Sequence, residues 1–146
     1  MGLFYMNKLY VILAGVLYSY AALAEPLWLK NDTQSHLFDV EIADTPQKSK
    51  IGLMFRHHLD ADKGMLFLLP QKQHMYMWMK NTYISLDMLF FDSNGKIVKV
   101  IENTKPFSLE VLPSDIPVAG VLEVNAGTAQ QLNINVGDYI ISERLK

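Results

Sequence analysis

Beyond residue 24 the apolar residues of this chain fall in short runs, and turn-forming residues stop them. Runs this brief do not suit an all-α core, which needs apolar positions at period 3.6 over roughly ten residues or more. They suit strands. Over His36–Ala43, Phe38, Val40 and Ile42 alternate with Leu37, Asp39 and Glu41, the pattern of a half-buried strand. Gly64–Leu69 is an apolar run ended by Pro70. His74–Asn81 sets Met75, Met77 and Met79 against His74, Tyr76, Trp78 and Lys80. Ile84–Phe91 is apolar on both faces apart from Ser85 and Asp87, which predicts a strand covered on both sides. The turn Asp92-Ser93-Asn94-Gly95 returns the chain as Lys96–Glu102 in a hairpin. Val118–Asn125 and Asp138–Glu143 supply two more strands.

One helix start is marked by Thr45 and Pro46, a capping hydroxyl followed by a proline at the first helical position. Ile51, Leu53 and Met54 give that helix an apolar side, and it runs out near Phe55. A second helical turn spans Thr128–Leu132. Residues 103–117, with Pro106, Pro113 and Pro117, read as a long loop of the kind that is often functional. The expected fold is mainly β: an antiparallel sandwich or barrel with one short helix packed against it.

The first 24 residues read as an address. Lys8 is their sole charge, an apolar run follows from Leu9 to Tyr20, and Ala22-Leu23-Ala24 closes the segment. A basic start, a short apolar stretch and an A-x-A end predict a secretory signal cleaved between Ala24 and Glu25. Translation starting at Met6 leaves that reading unchanged. The mature chain then has 122 residues and a net charge of −3. Residues 25–35 read as an N-terminal extension and residues 36–146 as one domain, long enough to bury a core unaided. No stable membrane span remains after cleavage, and the location is periplasmic or extracellular. A pI near 6.0 with scattered lysines excludes the basic face a nucleic-acid partner requires. The absence of cysteine removes disulfides, thiol catalysis and thiolate metal sites.

Several blocks in order carry a resemblance: Gly52-Leu53-Met54-Phe55-Arg56, Gly64-Met65-Leu66-Phe67, Met79-Lys80-Asn81-Thr82, Leu86-Asp87-Met88-Leu89-Phe90, Asp92 to Ile97, Val121 to Gly127, and Gly137-Asp138. Their order and spacing over about residues 36–143 resemble the family known as domain of unknown function 192, small bacterial and archaeal proteins, many of them exported. The resemblance implies a compact, mainly β single domain with sandwich-like architecture. It implies no activity, cofactor or catalytic residue.

Two acids stand out because they interrupt apolar strands. Asp87 and Glu123 would each cost several kcal/mol as buried carboxylates unless paired or hydrogen-bonded. The chain has two arginines, Arg56 and Arg144, and Arg56 is the expected partner of Asp87. Asn81 and Thr82 are expected to satisfy these carboxylates or cap the turn into the next strand. Arg56, Asn81, Thr82, Asp87 and Glu123 therefore form the candidate ligand pocket, lidded by the proline-rich loop. The leading function is a small binding or accessory module of the cell envelope, a monomer without a cofactor, whose partner is a small molecule or an envelope protein. A structural network of the same residues is the plainer account of them. One alternative is a small hydrolase using Asp87 and Glu123 as acid and base. Another is a periplasmic copper protein using His74, Met75, Met77 and Met79, since thioethers and imidazole suit Cu(I). On a strand, however, the three methionines share one face and His74 takes the other, which favours methionine as core filling. His57 and His58 read as exposed loop residues with no metal-site spacing.

Overall fold

A computed structural model of the protein describes residues 23–146. The expected signal segment lies outside the described residues except for Leu23 and Ala24, and β1 begins at the next residue. Nine strands are present: β1 Glu25–Lys30, β2 Ser35–Ala43, β3 Lys63–Gln73, β4 Tyr76–Met77, β5 Leu86–Phe91, β6 Ile97–Ile101, β7 Leu112–Pro113, β8 Val118–Asn125 and β9 Tyr139–Ile141. Two short helices, α1 Pro46–Ile51 and α2 Thr128–Gln131, and a 3-10 turn at Glu143–Leu145 complete the order.

Seven strands form one sheet in the order β6-β5-β8-β3-β2-β1-β9. It curls until its ends nearly meet, so the architecture is a barrel rather than a sandwich of two sheets. At the seam the Ile140 N–H donates to the Gly95 carbonyl at 2.7 Å, and the Ile97 N–H to the Asp138 carbonyl at 2.8 Å. The ladders are antiparallel except that β2 and β3 run parallel, joined by the crossover that carries α1. Residues 25–35 do not form an extension. They supply β1, which pairs with both β2 and β9, because Leu27 and Leu29 alternate inward just as Phe38 and Val40 do.

The barrel interior is filled from every strand of the large sheet, with Leu27, Phe38, Leu66, Leu89, Ile97, Leu122 and Ile140 among its buried residues. A second core lies on the outside of β3, β5 and β8, where Met65, Phe67, Met88, Phe90 and Val121 are covered by Leu53, Met75 and Met79. Pleating explains the division: successive residues of one strand face opposite sides. β5 is therefore buried along its whole length, as its two-sided apolar run predicts.

The covering layer departs from the expected elements in three places. The Thr45 hydroxyl caps α1 by accepting from the Lys48 N–H at 3.2 Å, as Thr45-Pro46 predicts. The helix ends at Ile51, well before Phe55, because Gly52 turns to φ +50°. The segment His74–Asn81 keeps only β4 as strand and then turns. Residues 103–117 are tied down by a β4–β7 pairing and by the Met79 N–H donating to the Ser108 carbonyl at 3.0 Å.

Gly95 joins two requirements. Its φ of +77° makes the Asn-Gly turn, and a Cβ there would lie 2.2 Å from the Ile140 carbonyl oxygen across the seam. Gly95→Ala is therefore expected to cost about 2–3 kcal/mol in urea unfolding; a cost below about 0.5 kcal/mol would contradict this account of the closure.

Candidate functional site

The strand registers decide which acids share a face. β5 and β8 pair Asp87 with Val124 and Met88 with Glu123. Val124 belongs to the barrel interior and Met88 to the outer core. Directly paired residues point the same way, so Asp87 faces the interior and Glu123 the outside. The convergence of these carboxyls that a two-carboxylate hydrolase requires does not occur.

Asp87 is fully buried and fully employed. Its Oδ1 accepts from the Asn103 N–H and its Oδ2 from the Ala129 N–H, both at 2.9 Å. Ala129 sits in the first turn of α2, whose N-cap, Gly127, has no side chain to offer. Asp87 thus caps from a neighbouring strand the helix that plugs this end of the barrel. Arg56 is not its partner. The guanidinium instead meets the Glu41 carboxylate with both terminal nitrogens, the second at 2.7 Å, and this bonding pushes the Arg56 pKa further up.

Glu123 presents the opposite case. It is 3% exposed, and its row on the outer face reads Glu41, Met65, Glu123, Met88 across β2, β3, β8 and β5. Glu41 and its arginine therefore stand two strands away, roughly 10 Å at the usual strand spacing. Among the described residues no donor bonds to Glu123, and burial alone pushes its pKa up to about 8. The carboxyl borders a cavity of about 30 Å³, enough for one water-sized group. Gly52, Leu53, Phe67, Met77, Trp78 and Thr82 are among its walls, together with Ser49 and Lys50.

Thr82, a sequence candidate, thus joins Glu123, and the Thr82 hydroxyl donates to the Lys80 carbonyl at 3.1 Å. Asn81 acts through its backbone. At φ +53° its carbonyl accepts from the Phe55 N–H at 2.9 Å. Phe55 is itself at φ +64°, and Phe107, at φ +61°, donates its N–H to the Thr82 carbonyl at 3.2 Å. Bulky residues at positive φ are uncommon and cost energy; here two of them fasten to one turn beside the cavity. Trp78 stays 46% exposed, with the Lys80 ammonium 5.0 Å from its ring centroid.

The other candidates resolve differently. Met75 and Met79 are buried in the outer core and Met77 packs against it, while His74 is exposed. This is the core filling that their alternation predicts. His57 stacks on Tyr83 with centroids 4.5 Å apart, and His58 pairs with Asp60, both exposed. Among the described residues no group of three or more His, Asp and Glu is placed to hold a metal ion. No helix among them is long and apolar enough to cross a membrane.

Sequence reasoning missed Glu41 as the arginine's partner and leaves Trp78 open between core and pocket wall; the structure places it in the wall. It also missed a cleft of about 610 Å³ at the barrel mouth, lined by His36, Asn125, Thr128 and Gln131 among others. The His36 Nε2 is shielded from solvent and has no hydrogen-bond partner among the described residues. Alternation with Phe38 puts His36 on the inward face, the one signal that could have found it.

The two acids predict opposite mutational behaviour. Asp87→Ala strands two backbone N–H groups and is expected to cost about 3 kcal/mol in urea unfolding at neutral pH. For Glu123 the folded state keeps its proton between pH 4.5 and about 8 while the unfolded chain releases it. Stability contributed by this group is therefore full below about pH 4.5 and lost as pH rises through 8, by roughly 5 kcal/mol in all. Glu123→Gln, always neutral, should match the wild type near pH 5 and exceed it by several kcal/mol at pH 8 in urea unfolding. Equal stabilities at both pH values would contradict the neutral buried acid.

Residues 27–142 match the model of the family DUF192, described as "Uncharacterized ACR, COG1430". The chain is similar to a crystal structure from Sinorhizobium meliloti 1021 described as a "putative transcription regulator", with 41% identity, a TM-score of 0.80, and 82% of this chain and 93% of that one covered. It is also similar to a protein of unknown function from Novosphingobium aromaticivorans DSM 12444, with 32% identity, a TM-score of 0.80, and 85% and 89% covered. No curated protein matches the sequence. The family match begins in β1 and ends just past β9, taking in the barrel and its outer cover, and this chain belongs to the DUF192 family.

Proposed function

We propose that the protein is an exported binding module of the cell envelope, with its ligand site at the Glu123 cavity. The observation that carries the reading is a glutamate only 3% exposed, with no bonded donor among the described residues, in the wall of a space of about 30 Å³. A fold optimised only for stability gains from an apolar residue or a partnered acid at such a place. Retaining an unpartnered acid, with two strained phenylalanines fastened alongside, is the kind of local cost that binding sites carry. Export rests on the Lys8, Leu9–Tyr20 and Ala22-Leu23-Ala24 pattern. Arg56 anchors the segment after α1, which supplies part of this wall, to β2.

The reading fits binding better than catalysis. Asp87, the second acid that a two-carboxylate hydrolase needs, faces the opposite side of the sheet, whereas Glu123 can orient a polar group at the pocket wall. The cleft at the barrel mouth is larger, but its buried imidazole nitrogen is closed to that space.

Two measurements test the proposal. Expression with the native leader, followed by cell fractionation and N-terminal sequencing, should yield an exported chain starting at Glu25; an intact chain retained in the cytoplasm would contradict export. Fragment screening by 1H–15N NMR should yield small polar fragments that shift the amides of Leu53, Met54, Trp78 and Thr82, with the shifts lost in Glu123→Leu. Fragments that act instead on His36, Asn125 and Gln131 would move the site to the barrel mouth and overturn this assignment.

A further inference from the structure

The chemistry of the cavity narrows what it can hold. Its volume of about 30 Å³ admits a single group the size of water. The acid at its edge keeps its proton at neutral pH, so it can donate one hydrogen bond and accept others. The Thr82 hydroxyl, having donated its own hydrogen to the Lys80 carbonyl, can only accept. A group that both donates and accepts satisfies both residues, and a hydroxyl does so without changing any charge. An ammonium would have to displace the Glu123 proton, and a second cation, Lys50, already lines the pocket. A carboxylate is larger than a single water and would lose most of its hydration in a space of this size.

Outside the cavity the surface is aromatic. Trp78 forms part of the wall and remains 46% exposed, its ring steadied by the Lys80 ammonium. Tyr76, two residues earlier, is 67% exposed. The electron-rich face of an indole attracts weakly positive C–H groups, and such rings bind through apolar area while leaving hydroxyls free to hydrogen-bond elsewhere. A molecule that presents C–H groups on one face and hydroxyls on its edge fits both parts.

Building on the proposed site at Glu123, we propose that it recognises a neutral saccharide, one hydroxyl seated between Glu123 and Thr82 and the sugar ring lying across Trp78. Glu123 and Thr82 fix the hydroxyl, and Trp78 supplies the apolar contact that a single hydroxyl lacks.

The test is NMR titration of the mature protein, from Glu25 to Lys146, with glucose, galactose, mannose and N-acetylglucosamine as probes. Butylammonium and acetate, at the same concentrations up to about 100 mM, report the two charged alternatives. At least one sugar should give saturable shifts of the Trp78 indole N–H and the Thr82 amide. Trp78→Ala and Glu123→Leu should each weaken it at least tenfold, while Glu123→Gln, which still donates and accepts, should bind within about threefold of the wild type. Amides of the barrel interior, unchanged in each variant, report that it folds. Shifts at Trp78 and Thr82 from butylammonium or acetate, with none from the sugars, would overturn the saccharide and leave the site standing. Silence at these residues from every probe would overturn both, leaving the cavity a place for one structural water.

Discussion

Strand β8 is hydrogen-bonded along both edges, to β3 and to β5, and this double pairing fixes which way every side chain on it points. Leu122 and Val124 must enter the barrel, and Val121 and Glu123 must face the outer layer. A one-residue slip would exchange the two sets and place the acid in the barrel interior, so register is strongly specified. Gly120 reinforces it, since a Cβ there would lie 2.0 Å from the Phe67 carbonyl oxygen and 2.7 Å from the Phe91 ring. The strands can approach at this point only because glycine stands there.

From that constraint follow two acids with unlike fates. Asp87 turns inward at the end of the barrel that α2 closes, where two backbone N–H groups await a carboxylate. Glu123 turns outward into a layer made largely of methionine, phenylalanine and leucine, where no donor among the described residues bonds to it. The Glu41–Arg56 pair on the same face shows what a satisfied acid looks like there: the guanidinium follows directly on the segment that leaves α1 and pins it to β2. The contrast along one row of side chains sets Glu123 apart from the paired acid on the same face and supports the proposed site. The energetic cost falls on an element that the rest of the barrel can support.

Much of this was legible in the residues. Period-two alternation located most of the barrel strands, Asn94-Gly95 located the tight turn at φ +77°, and Thr45-Pro46 located the start of α1. Acids interrupting apolar strands pointed to burial of both Asp87 and Glu123, which are 0% and 3% exposed. What could not be read was pairing. Whether Asp87 and Glu123 share a face depends on which residue each strand sets opposite the other, and no local pattern carries that information. The same ignorance misassigned Arg56 to Asp87, because Glu41 lies in a strand joined by a parallel ladder to β3. β1 escaped notice because Pro26 and Trp28 obscure the alternation of Leu27 and Leu29, and its partners lie in β2 and, far along the chain, in β9. Residues 103–117 read as a long loop because prolines interrupt them; their order comes from long-range bonds such as the Met79 N–H to the Ser108 carbonyl.

The account depends on the state of one carboxyl, and that state can be observed directly. A pH titration of the Glu123 side-chain carbonyl carbon by 13C NMR, assigned by comparison with Glu123→Gln, should show a midpoint near 8, well separated from the exposed acids. A midpoint in the ordinary carboxylate range, close to 4.5, would mean that the group is solvated or partnered, and would contradict the enclosed neutral acid on which the site rests.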